Sequence, residues 1–232
     1  MEKINRLRKI FKIMEIDGYL IPKNDEFFGE YTSKQNDRLQ YISNFSGSYG
    51  FCLILKDKNY LFVDGRYSLQ AKKQSGKYFK IVTFPDQMPY DILRSKKLII
   101  GFDPKIFTSR TLEIFFRNKN CKFKPLQENL IDKIWKRKTK EKENSFYRLP
   151  KKSVGDHYKN KINKVVAHLK KKSADFQFIS ASENNAWLFN IRGKDSKYSP
   201  IPYSSVLIDK HKNIIFFCNV GKIKISLKNY FK

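Results

Sequence analysis

The sequence contains the same pattern twice, and this internal repeat constrains the fold more than any other feature. Residues 41–47 (Tyr-Ile-Ser-Asn-Phe-Ser-Gly) align with residues 187–193 (Trp-Leu-Phe-Asn-Ile-Arg-Gly). A predicted helix and strand precede each segment, and two predicted strands follow it. Such a repeat is typical of one structural unit used twice. The sequence therefore predicts an α/β domain followed by a second copy of that domain.

The first copy, residues 1–135, alternates helices and strands. The spacing of apolar residues predicts helices over 3–16, 36–43, 66–75, 109–118 and 128–135, and strands over 18–22, 51–55, 60–63, 79–83, 98–102 and 122–125. The sequence Lys-Asp-Lys-Asn at 56–59 is typical of a hairpin between two of these strands. We therefore expect a mixed sheet flanked by helices.

The second copy is shorter than the first. Residues 136–156 are polar and rich in lysine, which predicts a linker, and the second copy occupies residues 157–232. Within it a helix is expected at 157–172 and strands at 175–180, 204–208 and 213–217. Only 15 residues follow Phe217, whereas the first copy continues from residue 64 to residue 135. We therefore expect an incomplete copy whose sheet lacks a covering element over the apolar side chains of Val206, Ile208, Ile214 and Phe216.

The N-terminal segment has apolar residues at helical spacing. Ile4, Leu7 and Phe11 fall on one face, which predicts a helix packed on a core. The segment has no apolar region or cleavage site of a secretory signal. The alternative is a membrane-surface or transit helix, but the acidic residues Glu2 and Glu15 argue against it. No stretch approaches the ~20 apolar residues of a membrane span, so we expect no membrane partner.

The net charge of +26 raises the question of a nucleic-acid partner. Of the 48 basic residues only 10 are arginine, whereas phosphate and base recognition tends to favour arginine forks. The lysines are spread along the chain. We therefore expect no specific nucleic-acid partner, but weak, salt-sensitive adhesion to polyanions.

Cysteine and histidine are too few and too scattered for a metal or disulfide framework. Cys52, Cys121 and Cys218 are far apart and include no CxxC pair, which favours buried thiols in the cytoplasm. His157 and His168 share one predicted helix but lie ~16 Å apart along its axis, too far to bind one ion. We therefore expect no metal ligands and no cofactor in this chain.

Several segments, in the right order, resemble the Xaa-Pro aminopeptidase family (aminopeptidase P, of the creatinase/prolidase-like metallopeptidases). Residues 19–26 (YLIPKNDE), 29–31 (GEY) and 37–48 (DRLQYISNFSGS) resemble the opening of these proteins. Residues 61–71 (LFVDGRYSLQA) are similar to the family's DGRY segment, and residues 186–195 (AWLFNIRGKD) to its AWLLNIRGSD segment.

The resemblance implies two creatinase N-terminal-like domains that precede a catalytic domain in long members of the family. That third domain binds two divalent ions, commonly manganese, through two Asp, one His and two Glu, and it releases the residue before proline. The N-terminal domains narrow the cleft and often dimerise. The present sequence resembles only these N-terminal domains, so no catalytic residue is expected in it. Phe27-Phe28 depart from the His-Gln of relatives, so any polar contact made there is lost.

Arg66 is the one candidate substrate-binding residue. By resemblance, an arginine in Asp64-Gly65-Arg66-Tyr67 sits near the catalytic cleft, where its fork meets a peptide carboxylate or carbonyl. The alternative is an ion pair with Asp64 or another local acid. Gly193 is expected as a helix C-cap, with a ligand loop as the alternative.

Other conspicuous residues are given structural interpretations. Asp25, Glu26 and Glu30 are expected to be helix-start and solvent charges, with a metal role as the alternative. Tyr41 and Trp187 occupy equivalent positions of the repeat and are both expected in the core.

The favoured functional hypothesis is the non-catalytic N-terminal portion of an Xaa-Pro aminopeptidase, inactive alone. Its expected partners are a second copy of the chain, a separately encoded catalytic domain, and a peptide substrate only in the complete enzyme. The alternative is a stand-alone binding or assembly module, or the product of a decaying gene.

Overall fold

The computed structural model describes residues 1–93, 97–116, 120–137 and 144–231. The chain divides into two units, Met1–Glu26 with Lys34–Thr139 and Phe27–Ser33 with Lys140–Lys232. None of the helices in these described ranges has the length and apolar character needed to cross a membrane.

The first unit contains a six-stranded mixed sheet. Its helices are α1 (Glu2–Ile13), α2 (Arg38–Ser43), α3 (Ser68–Ser75), α4 (Pro89–Leu93), α5 (Ser109–Phe115) and α6 (Leu130–Ile134). Its strands are β1 (Gly18–Pro22), β2 (Gly50–Leu55), β3 (Asn59–Asp64), β4 (Lys80–Phe84), β5 (Ile99–Phe102) and β6 (Lys122–Pro125). The strand order is β4-β3-β2-β1-β5-β6. The two pairs β1–β2 and β2–β3 are antiparallel and the other three are parallel, which confirms the expected mixed sheet.

Local sequence explains most of these elements. In α1 the side chains of Ile4, Leu7 and Phe11 are buried, which confirms that this helix packs on a core. Asp37 accepts a hydrogen bond from the backbone N–H of Gln40 and so caps α2. The helix predicted over 66–75 begins later, because a 3-10 turn at Gly65–Tyr67 precedes α3.

The sheet of the first unit is covered on both faces, because its side chains alternate between two apolar clusters. Helices α1, α2, α3 and α6 cover one face, which includes Tyr19 and Cys52. Helices α4 and α5 with their flanking loops cover the other, which includes Leu53 and Phe62. Each face therefore excludes water with its own set of helices.

The second unit has a smaller sheet. Its helices are α7 (Tyr158–Lys171), α8 (Ser182–Phe189) and α9 (Ile225–Tyr230). Its strands are β7 (Tyr147–Arg148), β8 (Phe176–Ile179), β9 (Ile191–Arg192), β10 (Ser205–Asp209) and β11 (Ile214–Phe217). Strands β11-β10-β8 form an antiparallel sheet in that order, and β7 pairs with β9. Strand β7 lies inside the segment expected to be a linker, of which residues 138–143 lie outside the described range.

The segment Phe27–Ser33 belongs to the second unit although it comes from the first copy of the sequence. The ring of Phe27 stacks on Tyr203, with centroids 4.4 Å apart. The hydroxyl of Tyr203 donates to the carbonyl oxygen of Tyr31 over 3.1 Å. The aromatic residue at position 27 therefore makes an apolar contact in this unit.

The internal repeat is visible in matching backbone details. Asp17 and Lys56 form an ion pair of 2.6 Å next to β1 and β2, and Asp175 and Lys210 form one of 2.7 Å next to β8 and β10. In each unit the backbone N–H of that lysine also donates to the carbonyl oxygen of that aspartate. Strands β8, β10 and β11 are therefore the counterparts of β1, β2 and β3.

The expectation about the exposed face of the second sheet is wrong for three of its four residues. Val206 and Ile208 are fully buried in a cluster with α7 and α9, and Phe216 packs against that cluster. Of the four, Ile214 is exposed. Because side chains alternate along a strand, the uncovered face carries the opposite set, which includes Phe178 and Phe217.

Two further expectations are wrong. The side chain of Trp187 is 61% exposed, whereas its counterpart Tyr41 is half-buried and stacks on Trp135 with centroids 4.7 Å apart. The helix expected to end at Gly193 ends earlier, because Asn190 adopts the left-handed conformation and is its C-cap.

Candidate functional site

Arg66 lies at the carboxyl end of β3, where the chain leaves the sheet. Asp64 is the last residue of that strand, and its carboxylate accepts the backbone N–H of Arg66 over 2.9 Å. This contact closes the 3-10 turn that connects β3 to α3. The strand end and the turn therefore hold Arg66 at a fixed place on the rim of the first unit.

The guanidinium of Arg66 forms a bidentate ion pair with Asp64. Its Nε and Nη2 donate to the two carboxylate oxygens over 2.9 and 3.0 Å. The hydrogen bonds from the Arg66 side chain and backbone hold the pKa of Asp64 below its usual value. The local ion pair expected as the alternative role of Arg66 is therefore present.

Aromatic and hydroxyl groups surround this ion pair. The hydroxyl groups of Tyr67 and Ser48 lie 2.8 Å apart, and the Arg66 guanidinium carbon lies 5.6 Å from the centroid of the Tyr67 ring. Burial, and secondarily the charge of Asp64, raises the pKa of Tyr49. We call Ser48, Tyr49, Asp64, Arg66 and Tyr67 the Arg66 cluster.

The Arg66 cluster has the chemistry of a binding surface. The two hydrogen bonds to Asp64 use Nε and Nη2 of Arg66. Because the guanidinium is planar, they also fix the orientation of its third nitrogen, Nη1. The side chain of Arg66 is 74% exposed, so an oxygen acceptor in solution has access to it.

Sequence reasoning missed a charge network around a buried arginine in the first unit. The side chain of Arg38 is 4% exposed. Its Nε and Nη2 donate to the two carboxylate oxygens of Asp132 over 2.9 and 2.8 Å, and Nη2 also meets Glu26 at 2.7 Å. Arg137 donates to Asp132 over 2.6 Å. No local sequence pattern marks this network, because Arg38 and Asp132 are 94 positions apart.

Of the three acidic residues near position 25, Asp25 differs from its expected role. Asp25 is 2% exposed and accepts a hydrogen bond from Asn36, so it is not a solvent charge. Glu26 is half of an ion pair with Arg38. Glu30 is exposed, as expected.

A surface depression of about 350 Å³ lies next to this network in the first unit. Glu26 and Asp132 line it, together with Asp103 and Glu128 and the lysines Lys105 and Lys133. Asp103 is 3% exposed and accepts from the amide nitrogen of Asn129 over 2.9 Å. The carboxylate of Asp103 is therefore engaged by a donor of the protein itself.

The described residues contain no group of three or more His, Cys, Asp or Glu side chains arranged to hold a metal ion. The three cysteines, all within the described ranges, form no disulfide, and Cys52 and Cys121 are buried.

Two family models of the creatinase/prolidase N-terminal domain match this chain, one over residues 3–134 and the other over residues 136–232. The chain is 31% identical over 225 residues to a probable Xaa-Pro aminopeptidase P of Laccaria bicolor. It is 30% identical over 247 residues to Xaa-Pro aminopeptidase 1 of Dictyostelium discoideum. These matches cover 93% and 98% of this chain but only 35% and 39% of the relatives.

A solved structure has the same fold. The X-prolyl aminopeptidase of Caenorhabditis elegans, described as a cytosolic enzyme with a dinuclear active site, superposes with a TM-score of 0.91 at 26% identity. The superposition covers 99% of this chain and 40% of that protein. Two N-terminal family models match in tandem, and an X-prolyl aminopeptidase has the same fold. This chain therefore belongs to the creatinase/prolidase N-terminal domain family.

Proposed function

We propose that this chain serves as the non-catalytic N-terminal portion of an Xaa-Pro aminopeptidase, an enzyme that releases the residue before proline. The main support is the fold, which matches the C. elegans X-prolyl aminopeptidase over 99% of this chain. Its curated relatives are Xaa-Pro aminopeptidases of which it spans 35% and 39%. The remaining part of such a protein supplies the catalytic groups.

The proposed chemistry places the metal ions outside this chain. The catalytic part would hold two divalent ions, manganese in our proposal, which would supply Lewis-acid activation of water there. The described residues contain no cluster of metal-ligating side chains. The contribution of this chain is to narrow the substrate cleft and to dimerise, in the cytoplasm.

Arg66 is the proposed substrate-contacting residue of this portion. Asp64 holds its guanidinium by two hydrogen bonds, so little side-chain freedom is lost when Nη1 meets a peptide oxygen. Such a contact exists in both the ground state and the transition state. Its loss is therefore expected to raise KM and to leave kcat nearly unchanged.

The first experiment is an assay of the purified chain with an Xaa-Pro peptide and manganese. We expect no cleavage by the chain alone, and cleavage when the chain replaces the matched region of D. discoideum Xaa-Pro aminopeptidase 1. Cleavage by the isolated chain, or an inactive chimera that is folded, would contradict the proposal.

The chimera also tests Arg66. Arg66→Ala is expected to raise KM several-fold, whereas Arg110→Ala, a matched change of an exposed arginine on α5, is expected to leave KM unchanged. Equal KM values for the two variants would remove Arg66 from the proposed substrate contact.

A second candidate function is that of a stand-alone assembly module. The observation that favours it is the uncovered apolar face of the second sheet, where four large side chains are at least half exposed. Sedimentation of the 232-residue product distinguishes an assembly module from the product of a decaying gene. A folded dimer of the 27.6 kDa chain favours assembly, and an aggregating product favours a decaying gene.

A further inference from the structure

Tyr49, Asp64 and Phe84 form one row across the end of the first unit's sheet. Gly50 lies opposite Val63 in the antiparallel pair of β2 and β3. Tyr49 precedes Gly50, so the same register places it beside Asp64. On its other side, Asp64 is the partner of Phe84 in the parallel pair of β3 and β4. Because side chains at paired positions share a face of the sheet, two aromatic residues flank the Asp64 carboxylate.

The rings of Tyr49 and Phe84 meet beside this carboxylate. Their centroids are 6.0 Å apart, with 42° between the ring planes. Phe84 is anchored in the core, because its ring also contacts the rings of Phe51 and Phe115, with centroids 6.4 and 6.0 Å away. Tyr49 is 43% exposed. Its ring is therefore an aromatic surface that the core supports from behind and that is open to solvent next to Asp64.

The exposed ring of Tyr49 sets it apart from its neighbours on the same face of the sheet. Phe51 and Phe62, two positions further into β2 and β3, are 2% and 0% exposed and stack with centroids 4.6 Å apart. Core packing therefore accounts for these two residues and for Phe84. It does not account for the open part of the Tyr49 ring, which is available to a ligand.

The hydrogen-bonding group that this edge offers to a ligand is a donor. The Asp64 carboxylate accepts from the backbone N–H, Nε and Nη2 of Arg66, so both of its oxygens are already engaged. Nη1 of Arg66 takes no part in these bonds, and the side chain is 74% exposed. The row therefore combines a guanidinium donor with an exposed aromatic ring.

A prolyl residue matches this combination of groups. Its nitrogen carries no hydrogen, so its main chain accepts a hydrogen bond but does not donate one. Its ring is rigid and apolar, and proline-rich peptides pack such rings on aromatic side chains. Any other residue brings an N–H group that meets an already engaged carboxylate at this edge and loses its hydrogen bond to water.

We propose that Tyr49 is a specificity-determining residue, whose ring packs on a prolyl residue of a peptide while Arg66 Nη1 donates to the carbonyl oxygen of that residue. Phe84 supports the Tyr49 ring from the core. This inference deepens the proposed function and rests on it, since it assigns a prolyl contact of the peptide substrate to a residue of this chain. The chain supplies only part of the substrate contacts, so we expect it to bind prolyl peptides weakly, with a Kd on the order of 1 mM.

The test measures peptide binding to the intact 232-residue chain by NMR titration. The probe is acetyl-Pro-Pro amide, with acetyl-Ala-Ala amide as the matched peptide; both are uncharged, so the net charge of +26 neither attracts nor repels them. We expect the prolyl peptide to shift the ring signals of Tyr49 and the Nε signal of Arg66. It is expected to bind about 5-fold more tightly than the alanyl peptide. Tyr49→Ser is expected to remove this preference, and Tyr49→Phe to retain it.

Tyr147→Ser is the matched control variant, because Tyr147 is also 43% exposed but lies on β7 of the second unit. It is expected to keep the preference for the prolyl peptide. Three outcomes would overturn the inference: no shift of these signals with the prolyl peptide, equal affinities for the two peptides, or equal effects of Tyr49→Ser and Tyr147→Ser. None of these readouts requires peptidase activity, so an inactive chimera together with a retained prolyl preference would count against the proposed function alone.

Discussion

Asn44 and Asn190 end equivalent helices in the same left-handed backbone conformation, with φ of 65° and 55°. Asn44 ends α2 and Asn190 ends α8. Their side chains differ, because Asn190 also donates to the carbonyl oxygen of Asp156 and accepts from Lys161. The two positions therefore share a backbone requirement, and Asn190 has an additional role through its side chain.

This difference predicts the effects of glycine substitution at the two positions. Asn44→Gly is expected to leave the free energy of unfolding almost unchanged, since glycine adopts positive φ without strain. Asn44→Ala is expected to cost about 1 kcal/mol. Asn190→Gly keeps the backbone conformation but loses the side-chain hydrogen bonds, and is expected to cost about 1–2 kcal/mol. Urea denaturation measures these values, and equal effects of the two glycine variants would contradict the distinction.

Lys161 is expected to stabilise the second unit through the hydrogen bonds of its buried side chain. The residue is 5% exposed, and its Nζ donates to the carbonyl oxygen of Trp187 and to Asn190 Oδ1 over 2.6 and 2.7 Å. Lys161→Ala leaves both acceptors without this donor and is expected to cost about 1–3 kcal/mol. Lys164→Ala, on the same helix but 76% exposed, is expected to have almost no effect. Equal unfolding midpoints for the two variants would contradict the structural role of Lys161.

Arg38 is expected to be the most sensitive charged residue of the first unit. Arg38→Ala leaves the carboxylates of Asp132 and Glu26 without their shared partner and is expected to cost about 3 kcal/mol. Arg66→Ala is the matched control, because the Arg66 pair with Asp64 is exposed and its loss is expected to leave stability nearly unchanged. Thermal and urea denaturation compare them, and a similar loss in both variants would contradict the prediction.

Asp132 predicts a loss of stability in acid. Burial raises the pKa of Asp132, but the hydrogen bonds from Arg38 and Arg137 outweigh it, so this pKa lies below its usual value. A carboxyl group of this kind contributes stability above its unfolded pKa of about 3.9, and the contribution is lost as pH falls through the folded pKa. We therefore expect the free energy of unfolding to fall more steeply below pH ~4 in the unchanged chain than in Asp132→Asn. Parallel pH profiles would rule out this role of Asp132.

The sequence predicted the features that depend on local spacing. The buried stripe of α1 and the hairpin of β2 and β3 follow from the order of apolar and turn residues alone. The repeat predicted the shared order of elements for the same reason. The network of Arg38 with Asp132 did not follow, because it joins α2 to α6 across 94 positions.

Trp187 shows why equivalence in sequence does not ensure equal burial. Its counterpart Tyr41 stacks on Trp135 and donates from its hydroxyl to the carbonyl oxygen of Ile134, both at the end of α6. The described part of the second unit has no counterpart of α6. The repeat aligned the two side chains correctly, but the partner that buries Tyr41 comes from α6, for which the described part of the second unit has no counterpart.

The chain carries its own fluorescence reporter in each unit. It contains two tryptophans, one in each unit, and they lie in different surroundings. Trp135 is half-buried, stacks on the Tyr41 ring and has the Arg137 guanidinium carbon 4.6 Å from its centroid, whereas Trp187 is 61% exposed with Lys161 Nζ 4.1 Å from its centroid. A neutral quencher such as acrylamide is therefore expected to quench Trp187 more strongly than Trp135. Quencher-resolved emission can follow the melting of each half separately, without any label.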